Sequence, residues 1–190
     1  MPASWPPIPY APWRETCAAL QLYTQIVGKY GLARTPWVNH SWHATLYVTA
    51  RGLTTSLVPD GSGGIEIAFD LVDHALTGAA SDGSTARFAL GPMTVAAFHA
   101  RFLELVRALG GTPKLHGTPN EVPDPVPFAR DHAPRPYDAV RGARDPVAAL
   151  TAFLESTYRA AADLGGWDRR NLECRPGEPL RPRPLDGGAN

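Results

Sequence analysis

The sequence predicts an α+β fold: an antiparallel sheet of about four to six strands, three helices packed mainly on one face, and a proline-rich irregular wrap. Three observations carry this. Segments 13–31, 94–109 and 146–164 repeat apolar residues at helical spacing. Between Arg34 and Leu90, four or five short strand-like runs are joined by short links, and links that short connect antiparallel neighbours. Residues 117–146 hold seven prolines, and proline lacks the donor that ladders and helix interiors require.

The elements follow in order. In the first helix Pro12 suits the first turn, Trp13, Cys17, Leu20, Tyr23/Thr24 and Val27 keep helical spacing, and Gly31 is the expected stop. The stretch "NHSWHATLYVTARGLTTS", residues 39–56, reads as a strand, a bend at Arg51-Gly52, and a second strand that ends at Pro59. "DGSGG" is a turn, and it lacks the helix and lysine of a phosphate loop. "IEIAFDLV" alternates, with Ile65, Ile67, Phe69 and Leu71 on one face. "HALTGAA", "SDGS" and "TARFAL" read as a hairpin. Thr94 caps the clearest helix, whose stripe is Val95, Phe98, Phe102, Leu105 and Leu109, and Gly110-Gly111 stop it. "PKLHG" reads as an added edge strand. After the wrap, Asp145 caps a last helix with Val147, Leu150, Leu154, Tyr158, Ala161 and Leu164 inward. Residues 1–173 form one domain on this reading, and the polar, proline-rich tail 174–190 is expected to be disordered.

Composition narrows function. With 18 basic and 18 acidic residues among 190, no charge favours nucleic acid or an anionic membrane. Of the basic residues only Lys29 and Lys114 are lysine, and the Arg, Ala, Gly and Pro usage suggests a GC-rich bacterial genome. The start has no signal-peptide pattern, no run has the ~18 apolar residues of a membrane helix, and a cytoplasmic protein is expected. Cys17 and Cys174 are isolated thiols without metal or disulfide spacing.

The candidate site is the alternating row His43, Thr45, Tyr47, Thr49 and Arg51. It holds hydrogen-bond donors and one fixed cation, where a solvated face usually carries Lys, Glu and Gln. Lys29, Gln25, Asn39, Thr54 and Thr55 are expected to converge with Arg51 on an anion such as carboxylate, sulfate or phosphate, which the guanidinium fork suits. His43 or His40 would transfer a proton and Tyr47 would orient the substrate. Glu66 and Asp70 are candidate bases on the neighbouring strand, set against a reading as ordinary outward carboxylates, and Glu121 belongs to a candidate lid. His40 and His43 point to opposite faces of an extended segment, which argues against a metal site, and no cofactor is expected. His74 and His99 read as packing or turn residues.

The blocks "WRETCAALQLYTQIVGK", "VNHSWHATLYVTARGLTTS", "IEIAFDLVDHAL…SDGSTARFAL", "TVAAFHARFLELVRALG", "NEVPDPVPF" and "FLESTYRAAADLGGWDRRNLE" resemble, in order, those of the DUF5996 family of bacterial proteins. The resemblance covers most of residues 5–173 and implies no activity. Gln21 and Tyr23 stand where the family usually has histidine and tryptophan, and Ser41 stands where it has tryptophan. The family's aromatic-rich block between wrap and last helix is missing here.

Two functions follow as expectations. One is a metal-independent enzyme for a polar anionic metabolite, eliminating or displacing an anionic leaving group, with secondary-metabolite tailoring as its setting. The other is a non-catalytic binding or scaffold subunit whose sheet face docks a partner protein. A second chain, identical or different, is expected to complete the site.

Overall fold

The computed structural model describes residues 11, 14–37 and 43–137. The first helix, α1 (Arg14–Arg34), leads into a five-stranded antiparallel meander: β1 (Tyr47–Thr49), β2 (Gly52–Asp60), β3 (Gly63–Asp70), β4 (Ala75–Ala80) and β5 (Thr85–Ala89). Neighbours in sequence are neighbours in the sheet, so among the described residues β1 and β5 are its edges. The short strand β6 (Met93–Thr94) opens helix α2 (Val95–Ala108) and pairs with β7 (Pro134–Arg135) in a separate ladder. The α+β class and the antiparallel sheet therefore stand, with two helices among the described residues. The expected third helix, 146–164, and the tail lie outside them.

Alternation places the core. Ile65, Ile67 and Phe69 of β3 lie opposite Ala80, Gly78 and Leu76 of β4, and Phe69 opposite Leu53 of β2. This face joins one buried cluster with Tyr23, Ile26, Val27 and Tyr30 of α1 and Val95, Phe98, Phe102, Leu105 and Val106 of α2. Phe98 stacks on Tyr23 at 4.1 Å between ring centres and lies parallel to Phe69 at 6.2 Å. Both helices thus cover the Ile65 side, and Gly78 lets α2 come close: a Cβ there would sit 2.5 Å from Leu109 Cδ1.

Three boundaries differ from expectation, each for a physical reason. Helix α1 runs through Gly31 to Arg34. Gly31 serves close approach, since a Cβ there would meet the His43 carbonyl at 3.1 Å, and Thr35 Oγ1 and its N–H bond back to the Gly31 carbonyl. The first strand is only three residues long; His43 and Ala44 form a short 3₁₀ turn against α1. "PKLHG" forms no strand, because Arg34 takes the carbonyls of Thr112 and Lys114 and Phe128 N–H takes that of Gly117. Helix α2 behaves as read: Thr94 Oγ1 accepts from Ala97 N–H at 3.0 Å, and Gly110 turns with φ 74°.

Candidate functional site

The row from His43 to Arg51 is not one strand face. Tyr47 and Thr49 share the sheet side opposite the core, pairing with Thr54 and Gly52, while Arg51 sits in the turn after β1. His43 lies in the 3₁₀ turn with its ring edge-on to Trp37 at 5.4 Å, and exposed Thr45 lies between turn and strand. His40 and Asn39 are outside the described residues.

Arg51 is half exposed and its charge is matched. Nε donates to Asp70 Oδ2 at 2.7 Å and Nη2 meets Asp73 Oδ2 at 2.9 Å, which ties the β1–β2 turn to the β3–β4 turn. Burial pushes the Asp70 carboxyl up, yet hydrogen bonds from Arg51 and the Asp73 and Val72 N–H groups outweigh it and hold the carboxyl below its ordinary value. Gly52 follows at φ 151°, where a Cβ would strike the Phe69 carbonyl. Arg51, Asp70 and Gly52 thus form one turn-to-turn brace. Asp73, which pairs with Arg51 from the β3–β4 turn, is the member that sequence reasoning missed.

Thr54 and Thr55 build a bulge. The register of β2 against β3 slips between Thr54 and Leu57, and Ser56 takes φ 53°. The slip leaves Ile67 N–H without a ladder carbonyl, and Thr55 Oγ1 accepts it at 3.0 Å. Thr54 Oγ1 accepts from Ser56 N–H at 3.0 Å and donates to Glu66 Oε1 at 2.6 Å. The hydroxyls that looked like ligand groups are engaged in backbone repair, a frequent role of Ser and Thr. Bulges also re-aim side chains: here Leu57 turns out to the far side opposite Glu66.

The third grouping joins α1 to residues 110–137. Gln25 holds the backbone of Asn120 at both ends: Gln25 Nε2 donates to the Asn120 carbonyl at 3.0 Å, and Asn120 N–H donates to Gln25 Oε1 at 2.9 Å. One turn on, Lys29 is 7 % exposed and donates from Nζ to Asn120 Oδ1 at 3.1 Å. Burial lowers its pKa from the usual lysine value. Further along α1, Arg34, ion-paired with Asp60 at 3.4 Å and donating to the Thr112 and Lys114 carbonyls, anchors the start of the same segment. Tyr30 donates to Asp60 Oδ2 at 2.9 Å beside it. Lys29 and Gln25 are therefore neighbours, remote in sequence and in bonding from the Arg51 brace. Asn120 was missed because no periodicity relates it to α1; the one sequence signal was that "TQIVGK" and "NEVPDPVPF" both stand among the family-like blocks.

The remaining groups are dispersed. Exposed Glu121 and Asp124 follow Asn120 with φ 56° and 44°. His74 bonds Tyr137 Oη at 3.0 Å, and burial pushes the Tyr137 hydroxyl up to about 12. His99, lowered by burial, packs its ring 6.0 Å from Phe128. Two surface grooves, about 580 Å³ beside α2 and about 410 Å³ at the β2–β3 tip, include none of the residues singled out from sequence as the site. Among the described residues no group of three or more His, Cys, Asp or Glu could hold a metal ion, and no helix is long and apolar enough to cross a membrane.

A helix-covered antiparallel meander with a braced edge and a lysine clamp defines the class of protein. The profile of DUF5996, a family of unknown function, matches residues 5–139 and 135–174, and the chain belongs to that family. No curated protein and no solved structure matches the chain.

Proposed function

We propose that this chain is a binding or scaffold subunit that docks a partner protein on the β1 end of its sheet. The observation that carries this reading is the exposure of that end. Tyr47 and Val48 on the edge strand are 51 % and 54 % exposed, and Leu57 on β2 is 61 % exposed. An edge strand offers unpaired backbone groups to a partner, and exposed aromatic and aliphatic side chains beside it suit interface anchors. Arg51, the cation expected to bind substrate there, is already matched by two carboxylates. Affinity capture from the native host tests the reading, comparing the wild-type chain with Tyr47→Lys/Val48→Lys. Both sites are exposed, so the variant is expected to fold and to lose one specific partner. A partner captured equally by both chains contradicts the reading.

A second reading, an acid/base enzyme acting on a polar anionic metabolite, draws support from Lys29, a buried ammonium beside a neutral amide. His43 would be its proton-transfer group. His43→Gln should then lower turnover by about 100-fold or more, the usual scale of such catalysis. Unchanged turnover removes His43 from the chemistry.

A further inference from the structure

Helix α1 fastens residues 110–137 at two points, and the two differ in charge. At Arg34 the guanidinium has Asp60 beside it, and Asp60 also accepts from Tyr30 and from the Thr112 N–H and hydroxyl. Among the described residues the Lys29 ammonium has one hydrogen-bond partner, the neutral Asn120 amide oxygen, and no carboxylate within ion-pair distance. An ammonium carries three donors, and a buried charge without a counter-charge is costly. Fastening the segment does not require that charge. Gln25 already holds the Asn120 backbone through two hydrogen bonds.

We propose that Lys29, Gln25 and Asn120 form a closed receptor for a small oxyanion, a carboxylate, sulfate or phosphate group, which displaces the Asn120 amide oxygen from the ammonium. The geometry provides an entry. Asn120 is exposed while Lys29 beneath it is buried, so rotation of one surface side chain uncovers the ammonium. Gln25 grips only the backbone of Asn120, so that side chain turns without releasing the segment. A turned asparagine presents its NH₂ donors, so the anion has donors from both residues and supplies the counter-charge that Lys29 lacks among the described residues. This site is separate from the β1 edge and does not depend on a docked protein.

The chain's two lysines make the test direct. The lysine side-chain NMR spectrum of the full chain holds two sets of signals, and exposed Lys114 is the internal control. Sodium phosphate, sulfate and acetate are titrated against sodium chloride at matched ionic strength. At least one oxyanion is expected to shift the Lys29 signals saturably while Lys114 stays put, and to raise the melting temperature. Lys29→Met should keep the unliganded protein within a few degrees of wild type, as apolar replacement of buried charge often does, and lose the oxyanion-dependent rise. Asn120→Asp, which puts a permanent carboxylate on the ammonium, should raise the unliganded melting temperature and abolish the response. Lys29 signals indifferent to all three oxyanions, an adventitious ion only (a shift that never saturates), or a response kept by Asn120→Asp would each overturn the proposal. If Lys29→Met does not fold, the wild-type titration and Asn120→Asp still decide.

Discussion

Arg51 spans two turns with a side chain half open to water, and that exposure sets what its loss should do. Solvent screens exposed pairs, so Arg51→Ala is expected to lower the melting temperature by only a few degrees, read by calorimetry; unfolding at room temperature would show a larger structural role. The carboxylates give a pH signature. Both Asp60 and Asp70 are pushed up by burial but held lower still by their donors, so both fall below the ordinary 3.8. A depressed folded-state pKa adds stability that is complete above the unfolded value and is lost as pH falls through the folded one. Melting temperature should therefore change little with these groups above about pH 5 and drop below the ordinary 3.8. Asp60→Asn should flatten that drop, and an unchanged acid limb in this variant contradicts the assignment. At this scale the sequence told residue types better than partners. Lys29, Gln25 and Arg51 read as groups converging on one anion, but the Asp73 and Asn120 that they meet come from turns and irregular chain, where no periodicity says what faces what.

The elements were legible wherever a period ran long enough. The 3.6-residue stripe of α2, its Thr94 cap and the two-residue alternation of β3 correspond to buried faces in the fold. Legibility failed where one residue had two uses. Gly31 reads as a stop but admits the His43 carbonyl, and the Thr54–Thr55 pair reads as binding groups but serves a bulge. The bulge account makes its own forecast. Thr55→Val keeps the shape and removes the acceptor of a buried N–H, so urea unfolding should show a loss of about 1–3 kcal/mol. A change near zero would mean that another acceptor takes Ile67 N–H. Gly78→Ala should lose about 1–3 kcal/mol through overpacking against Leu105 and Leu109; an unchanged urea midpoint would show that α2 shifts freely.

For the whole molecule, α1 and α2 both cover the Ile65 side, while the opposite side carries Tyr47, Leu57, Glu66, Thr77 and Arg87. The sequence indicated that asymmetry through β3, whose inward residues are all large and apolar, but not that β1 would be so short. A three-residue edge strand leaves Tyr47 and Val48 exposed at the β1 end, one on each face, and Leu57 on the neighbouring β2 is exposed too. Docking at that end is the central claim. Its most direct test is the molar mass of the tag-free chain, purified under native conditions from its host, with hydrogen exchange of the Tyr47–Thr49 amides on the same sample. The account predicts a species heavier than the 20.4 kDa chain, with those amides protected and protection lost when the complex is dissociated. A monomer of 20.4 kDa at micromolar concentration, with the edge amides exchanging freely, would contradict it.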